Sequence, residues 1–349
     1  MRVRVLGTAA GGGVPQWNCA CPGCSGARAH PGWRRRHASL AVQADEGRWY
    51  LVNATPDLGD QVEDCPELHP GPEPRRTPLA GVILTDAELD HTLGIARLRE
   101  ADGIEILATA PVRHALLTGL HLGEVLTPYA RLDWRPLGPG DRPLSRSEEV
   151  RYGSAAPRRG AGPYRYPAPP RGATSHDGAA DGQRRIAALP AERLAEGSPI
   201  AVGAVPVSAK RPRYAAGLDA PDDDAWVVAL RLTDRATGRS LLYAPALAAW
   251  PDAFQLAAEE ADCVIVDGTF WSDDEPLTSG FGSRTATAMG HLPIDGPDGT
   301  AHRLAALGAR TLYTHLNNTN PLNDPAAPQH SGLARLGVEV AADGMVIDL

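Results

Sequence analysis

The chain has 349 residues, of which 43% are hydrophobic, so a globular protein is expected and a disordered one is excluded. Its net charge of −8 argues against nucleic-acid binding as the main activity. No apolar run approaches the roughly 20 residues that span a bilayer, and the N-terminus lacks the apolar core of a signal peptide, so we expect a cytoplasmic protein that does not bind membranes.

The first elements are a strand and a glycine-rich loop. Alternating polar and apolar residues predict a strand at Arg2–Leu6. The loop Gly7–Pro15 matches neither the dinucleotide-binding pattern nor a phosphate-binding loop. Its glycines would instead let the backbone pass close to a site or a ligand. Three more strands are predicted in the first half, at Ala38–Val42, Trp49–Asn53 and Ala80–Leu84.

Three cysteines lie close together at Cys19, Cys21 and Cys24, in a loop that also contains proline and glycine. In a reducing compartment such a cluster indicates a metal site rather than disulfides, and we predict structural zinc bound by these thiolates. Tetrahedral zinc takes four ligands, so the fourth must come from elsewhere in the chain. Three unliganded thiols are the alternative. A catalytic thiol is disfavoured because no neighbouring histidine is placed to act as its base.

A strand–loop–helix unit then brings three carboxylates and a histidine together. Asp86, Glu88, Asp90 and His91 lie between an apolar strand and a segment with helical spacing from Thr92 onward. The carboxylates repel one another unless a cation lies among them, so the loop is predicted to bind a metal. A solvated acidic turn is the alternative.

The middle of the chain, at about 140–198, is predicted to be a flexible insertion in a single domain that spans residues 1–349. Its stretch Ala155–Gly182 is dense in Gly, Pro, Ala and Arg and has neither helical nor strand periodicity. An extended polyproline II-like arm packed on the body is the alternative.

The second half is again rich in strands. They are predicted at Pro199–Ala204, Ala225–Thr233, Ser240–Tyr243, Cys263–Val266 and Thr311–Tyr313. Helices are predicted at Ala248–Glu260 and Thr300–Leu307, and the last segment reads as a hairpin of two short strands around Asp343-Gly344. Strands outnumber helices in both halves, which favours an α/β sandwich of two sheets covered by helices.

Several motifs carry a resemblance to a known family. The acidic loop resembles the H-x-H-x-D-H signature of the metallo-β-lactamase superfamily, with Asp86 and Glu88 in place of the first two histidines. In chain order, the chain resembles the pyrroloquinoline quinone (PQQ) biosynthesis protein B family (PqqB) at VLGTAAGGGVPQWNCACPGC, NATPDL, LTDAELDHTLGIARLRE, VDGTF, MGHLPI, THLNNTNPL and VAADGM. The resemblance covers Met1 to about Pro136 and about Ala201 to Leu349, and it implies a metallo-β-lactamase-like αββα sandwich.

The resemblance also implies iron-dependent hydroxylation of a Glu–Tyr-derived intermediate. Asp86 and Glu88 remove imidazole ligands, and the segment 243–246 lacks the bridging carboxylate of the superfamily, so a dinuclear hydrolase is not expected. One carboxylate and two histidines with open positions suit mononuclear non-haem Fe(II) and O₂. We predict that Asp90, His91 and His315 bind this iron.

Other residues are assigned supporting roles. Asp86, Glu88, Asp267 and His291 are expected to orient the ligands or move protons, and His291 is the next candidate ligand. Asn318 lies where some relatives place the histidine that completes a Cys₃His zinc site, which leaves the fourth zinc ligand open.

The substrate expected from the resemblance is a small molecule derived from an aromatic amino acid, with O₂ as co-substrate. Lys210 and Arg211 replace a superfamily metal histidine, and a cation there suits a substrate carboxylate. Three alternatives stay open: a mononuclear zinc hydrolase, a non-catalytic carrier of the finished quinone, and a hydroxylase of a related peptide-derived precursor. The sequence is compatible with a monomer and with a homodimer.

Overall fold

The structure is a computed structural model and describes residues 1–72, 76–144, 198–219, 225–280 and 282–349. Its strands form two seven-stranded sheets. The first sheet, in the order β14-β1-β2-β3-β4-β5-β6, contains β1 Arg2–Gly7, β2 Ser39–Asp45, β3 Arg48–Val52, β4 Leu79–Ile83, β5 Gly103–Ala108, β6 Arg131–Pro136 and β14 Val346–Asp348. The second, in the order β13-β12-β11-β10-β9-β8-β7, contains β7 Arg142–Pro143, β8 Ile200–Ser208, β9 Val227–Asp234, β10 Ser240–Ala244, β11 Cys263–Asp267, β12 Arg310–Thr314 and β13 Val338–Val340.

Short helices connect the strands. The α-helices are α1 Pro22–Ala29, α2 Leu58–Glu63, α3 Leu89–Thr92, α4 Ala110–His114, α5 Leu122–Leu126, α6 Asp252–Glu260, α7 Glu275–Thr278, α8 Ala286–Met289, α9 Ala301–Ala305 and α10 Pro328–Arg335. Two 3₁₀ helices lie near the site described below, at Leu93–Glu100 and Arg213–Ala215. None of the helices in the described ranges has the length and apolar character that crossing a bilayer requires.

The main core lies between the two sheets. Leu40 and Tyr50 of the first sheet share one buried cluster with Leu230 and Ile265 of the second. Because successive strand residues point to opposite faces, the same strands also bury a second set of side chains under the outer helices. On the outer face of the second sheet, for example, Phe254 of α6 is fully buried. This arrangement is the predicted αββα sandwich.

The strand directions bring the candidate residues to one edge of the sandwich. β4 runs parallel to β3 and β5, and β11 runs parallel to β10 and β12. β4 leads into the acidic loop, β11 ends at Asp267, and β12 is followed directly by His315. Ligands commonly bind beyond the carboxyl ends of parallel strands, where the connecting loops converge.

Three sequence-based expectations differ from the structure. The terminal strands β13 and β14 form, but the predicted hairpin is wrong, because β13 pairs with β12 and β14 pairs with β1 of the other sheet. The helix expected from Ala248 begins at Asp252, after Pro251, which has no N–H for a helical hydrogen bond. The segment after Thr92 is helical but mostly 3₁₀.

The first residues of the predicted flexible insertion at 140–198 include a strand. Arg142–Pro143 form the edge strand β7, which pairs with β8. The remainder, residues 145–197, lies outside the described residues, and so does the predicted Ala155–Gly182 stretch. β5 and β6 were missed by the sequence analysis; both extend the first sheet.

Candidate metal centre

The acidic loop is held in shape by Asp86. This buried carboxylate accepts hydrogen bonds at Oδ2 from the Thr85 hydroxyl, at 2.8 Å, and from His91 Nδ1, at 2.7 Å. Its Oδ1 accepts from the Glu88 N–H at 2.9 Å. An ionised carboxylate only accepts, so Nδ1 of His91 carries a proton and Nε2 is the nitrogen left to face a metal. A carboxylate behind a histidine in this way orients the ring toward a metal.

Asp90, His91 and His315 converge on one point. The three offer ligand atoms that lie within 4.8 Å of one another. Asp90 Oδ2 is 3.4 Å from His315 Nε2 and 3.8 Å from His91 Nε2. His91 Nε2 is buried without a hydrogen-bond partner in the described part of the chain. An unpartnered buried nitrogen that faces a carboxylate and a second imidazole fits the donor set of a divalent metal.

A second network behind His315 fixes its tautomer. The Thr269 hydroxyl donates to Asp267 Oδ1 at 2.5 Å and therefore accepts from His315 Nδ1 at 2.8 Å. Nε2 of His315 is then the bare nitrogen that faces Asp90. Asp267 Oδ2 accepts from His291 Nδ1 at 2.6 Å and from the Leu247 N–H at 2.8 Å.

Asp267, His291 and His315 form a second group with metal-ligand geometry. Here the donor atoms already satisfy one another, since Asp267 also accepts from the Thr269 N–H and accepts four hydrogen bonds in all. Asp90, His91 and His315 are therefore the candidate metal centre, and Asp267 and His291 lie behind it.

The buried carboxylates of the centre favour a positive charge among them. Burial opposes ionisation of Asp90, but the charge of His91 outweighs it and lowers the pKa of this carboxyl. Burial likewise opposes the charged form of His91, yet Asp86 and Asp90 raise its pKa to about 9. Burial lowers the pKa of His315, which keeps that ring neutral. A divalent cation can replace the proton of His91 and satisfy the same carboxylates.

The centre opens into a pocket of about 650 Å³, a size that suits a small-molecule ligand. Part of the lining consists of carboxylates and histidines in and around the centre: Asp86, Glu88, Asp90, His91, His291 and His315. Another part consists of basic side chains: Lys210, Arg211, Arg213 and Arg284. Glu88 is half-buried, and burial together with Asp86 raises the pKa of its carboxyl. Asp267 is buried behind His291, so it acts through that ring.

The three predicted zinc ligands also come together. Cys19, Cys21 and Cys24 offer sulfur atoms within 4.8 Å of one another around the start of α1. Burial raises the pKa of Cys24 to about 11, whereas a hydrogen bond from the Cys21 N–H lowers the pKa of Cys19. Asn318 lies against all three thiols, at the position that a fourth ligand would take. The cluster and the metal centre are separate sites joined by the loop that follows β12.

Several supporting residues were missed by the sequence analysis. Thr269 lies in the motif DGTF, where a threonine two residues after an aspartate is a common turn pattern, and this was the only signal for its role. Asn53 has a positive φ of 65° and accepts from both the N–H and the hydroxyl of Thr85. Tyr214 lines the pocket and donates to the Ala87 carbonyl at 2.7 Å. Their contacts join segments that are distant in sequence.

Comparisons with known proteins agree with this fold. A family model described as the beta-lactamase superfamily domain matches residues 48–153 and 154–315. The chain is 39% identical to coenzyme PQQ synthesis protein B of Azoarcus sp. (strain BH72), over 100% of both chains, and 37% identical to that of Cupriavidus necator, over 99% of both.

Solved structures give the same picture. Zn(2+)-bound PqqB from Methylobacterium extorquens matches with a TM-score of 0.77 and 26% identity over 100% of both chains. A diphosphatase from the PhnP family matches with a TM-score of 0.60 and 16% identity, covering 100% of this chain and 97% of its own, which shows the shared fold alone. The chain therefore belongs to the coenzyme PQQ synthesis protein B family, within the beta-lactamase superfamily.

Proposed function

We propose that this chain acts in PQQ biosynthesis as an iron- and O₂-dependent hydroxylase of a Glu–Tyr-derived intermediate, or of a related peptide-derived aromatic amino acid. Full-length relatives at 39% and 37% identity support the pathway. The observation that carries the chemistry is the donor set Asp90, His91 and His315 at the edge of a pocket. One carboxylate and two imidazoles that leave positions open are the ligands used by mononuclear non-haem iron oxygenases.

Iron(II) in this site would supply the activation of O₂. The chain's own contribution is to hold the ligands and to exclude a second metal. Asp86, where the superfamily signature has a histidine, instead bonds to His91 Nδ1 at 2.7 Å and is unavailable as a ligand on the pocket side. Glu88 lines the pocket as a carboxyl with a raised pKa, which suits it to hold a proton near the substrate.

Asp267 and His291 form a pair that can move a proton. His291 Nδ1 is bonded to Asp267 Oδ2 at 2.6 Å, so Nε2 is the nitrogen left for a group in the pocket. The buried carboxylate fixes the ring and stabilises the imidazolium that forms when Nε2 accepts a proton. The His291 ring stacks on His315 with centroids 5.7 Å apart, so this pair lies directly beside one of the proposed metal ligands.

Basic side chains supply recognition of an acidic substrate. Lys210, Arg213 and Arg284 line the pocket together with the exposed Leu89, so a carboxylated aromatic ring would meet both positive charge and an apolar side chain there. Lys210 is anchored by the Met289 carbonyl, which its ammonium reaches at 2.6 Å. Arg211 also lines the pocket, but its guanidinium lies over the Trp226 ring at 5.1 Å, which fixes its position.

We further propose that Cys19, Cys21 and Cys24 bind structural zinc. Their sulfur atoms share one small volume, and thiolates this close repel one another unless a cation neutralises them. Backbone N–H groups point at the cluster, including that of Gln16, which donates to Cys24 Sγ at 3.2 Å. Such bonds stabilise thiolates around a metal.

A mononuclear zinc hydrolase is the second candidate function, because the structurally similar PqqB from Methylobacterium extorquens is described as Zn(2+)-bound. A carrier of the finished quinone is the third outcome that the test must separate. The anaerobic chain is loaded with Fe(II), mixed with a Glu–Tyr conjugate and ascorbate, and exposed to O₂; the ascorbate supplies the two electrons that reduce the second oxygen atom to water. The proposal expects an O₂-dependent mass gain of the conjugate that is absent in His91→Ala.

Zinc-dependent, O₂-independent hydrolysis of a phosphodiester or lactam would support the hydrolase instead. Tight binding of the quinone without any metal at Asp90 would support the carrier.

A further inference from the structure

The glycine-rich loop after β1 forms a tight turn in the wall of the pocket. Ala10, Gly11 and Gly12 line the pocket. The turn is closed by the Gly13 N–H, which donates to the Ala10 carbonyl at 2.9 Å. Gly13 has a positive φ of 67°, a conformation that favours glycine. We call the segment from Ala10 to Gly13 the glycine turn; it has no role in the function proposed above.

The glycine turn lies directly against one of the proposed metal ligands. A Cβ at Gly11 would lie 3.2 Å from Asp90 Oδ2 and 3.3 Å from its Cγ, so the backbone comes close to this carboxylate because Gly11 has no side chain. The Ala10 N–H donates to the carbonyl of Leu316 at 2.9 Å, and Leu316 directly follows His315. The turn therefore borders two of the three proposed ligands.

Two backbone N–H groups of the glycine turn are free to bind a ligand. In the segment 8–14, five N–H groups donate to backbone carbonyls: those of Thr8, Ala9, Ala10, Gly13 and Val14. The N–H groups of Gly11 and Gly12 donate to no group in the described part of the chain, and both residues line the pocket. Neighbouring backbone N–H groups held in a fixed turn are well suited to bind an anionic oxygen.

His37 holds the glycine turn from outside the pocket. A carbonyl oxygen only accepts, so Nε2 of His37 carries a proton and donates to the Gly11 carbonyl at 3.2 Å. The ring is fixed by Asp57, whose Oδ2 lies 3.1 Å from His37 Nδ1 and accepts from the His37 N–H at 3.1 Å. Asp57 Oδ1 accepts from the Thr55 hydroxyl at 2.7 Å. His37 is not among the residues that line the pocket, so it can act there only through the turn.

We propose that the N–H groups of Gly11 and Gly12 bind a carboxylate of the substrate beside the metal centre, and that His37 positions the glycine turn for this contact. The identity of the ligand rests on the proposed function, whereas the attachment of the turn to His37 does not. A cation bound at the centre offsets the charge of Asp90, so an anionic group can approach the turn. His37 is a positioning residue, because it reaches the substrate only through Gly11.

The contact to the substrate is tested by hydrogen exchange of the segment 8–14 in the anaerobic, Fe(II)-loaded full-length chain, resolved to single amides by mass spectrometry. In the free chain, the amides of Gly11 and Gly12 should exchange fastest, because the others in the segment are hydrogen-bonded. Saturation with a Glu–Tyr conjugate should slow both at least about tenfold. Unchanged exchange with the conjugate bound would overturn the contact. Equal protection by a conjugate whose carboxylates are converted to amides would overturn the carboxylate as the bound group.

The positioning role is tested with His37→Leu and His37→Gln. Leucine removes the donor to the Gly11 carbonyl, so the Gly13 N–H should exchange at least about tenfold faster and the conjugate should bind at least about tenfold more weakly. Glutamine keeps an N–H donor and should restore much of both properties. Both variants should keep wild-type Fe(II) affinity, because the three proposed ligands are intact. His69→Leu is the matched control, because His69 Nε2 also bonds a backbone carbonyl, that of Glu63 at 3.0 Å, away from the pocket.

Two results would overturn the positioning role. One is wild-type exchange or wild-type conjugate affinity in His37→Leu, and the other is a loss of Fe(II) affinity as large as the loss of conjugate affinity. Thermal unfolding of each variant shows that it is folded at the assay temperature. If the Fe(II)-loaded wild type fails to bind the conjugate, the proposed substrate and the N–H contact are refuted together. The exchange rate of the Gly13 amide would still decide whether His37 holds the glycine turn.

Discussion

Asp86→Asn is the substitution that most directly probes how the chain prepares His91 for a metal. Asp86 is buried, and it accepts at Oδ2 from His91 and Thr85 and at Oδ1 from the Glu88 N–H. An asparagine has the same shape but carries two donors on one end. If its NH₂ faces His91, this donor meets the Nδ1–H of that ring. If its NH₂ faces Glu88, it meets the backbone N–H of Glu88 instead.

The magnitude follows from these contacts. A tautomer of His91 with its proton on Nε2 would relieve the first conflict, but it would lose the lone pair that binds the metal. Substitution of a partner that orients a metal-bound histidine costs about 10–100-fold in metal affinity, or about 1.4–2.7 kcal/mol. The second orientation leaves a buried N–H unsatisfied, which costs about 1–3 kcal/mol of stability in place of affinity.

The assay is calorimetric titration of Fe(II) into the zinc-loaded chain, with chemical denaturation of the same samples. Asp57→Asn is the matched control, since Asp57 pairs with His37 at 3.1 Å and lies outside the three-residue donor set. The control should retain wild-type Fe(II) affinity. Wild-type affinity together with wild-type stability in Asp86→Asn would refute the reasoning, because one of the two conflicts must appear.

Three further predictions concern proton transfer, recognition and stability. His291→Gln should keep its Fe(II) while kcat falls about 10²-fold or more, because the ring transfers protons without binding the metal; parallel loss of iron and turnover would contradict this. Lys210→Met should raise KM about tenfold at constant kcat, because it removes one charged contact to the substrate, and steady-state kinetics would show a kcat effect if that were wrong. Burial opposes the charged form of His37, but Asp57 outweighs this effect and raises the pKa of the ring. The ion pair therefore contributes its full stabilisation of the fold below the ordinary pKa of 6.5, and this stabilisation is lost as the pH rises through the raised pKa. The difference in unfolding free energy between wild type and His37→Gln should therefore shrink with increasing pH, and a pH-independent difference would exclude this pair as its source.

Much of the architecture could be predicted because it depends on local patterns. The strand at Cys263–Val266 is a continuous apolar run, and it is buried as β11 in the structure. The hairpin around Asp343-Gly344 was wrong for a reason that local patterns do not contain. The turn forms, but β14 pairs with β1 in the first sheet and β13 pairs with β12 in the second, and a local turn pattern does not contain these tertiary pairings.

The three candidate metal ligands could be proposed from the sequence, but the contacts that bring them together and orient them could not. Asp90 and His91 are neighbours in one motif, whereas His315 is 225 residues from Asp90 and meets it only because β4 and β12 end at the same edge. The role of Thr269 depends on a hydroxyl that bonds Asp267 and His315 at once. The resemblance aligned Asn318 with a zinc-binding histidine of some relatives and left the fourth ligand open, whereas the structure shows its amide against all three thiols.

The most direct measurement is the number of iron and zinc atoms per chain after anaerobic loading with Fe(II). Wild type is expected to hold one iron and one zinc. Asp90→Ala and His91→Ala should lose the iron and keep the zinc, because their donors face the pocket while Cys19, Cys21 and Cys24 form a separate site. Zinc alone in the wild type after loading, or full iron retained in both variants, would contradict an iron centre at Asp90, His91 and His315.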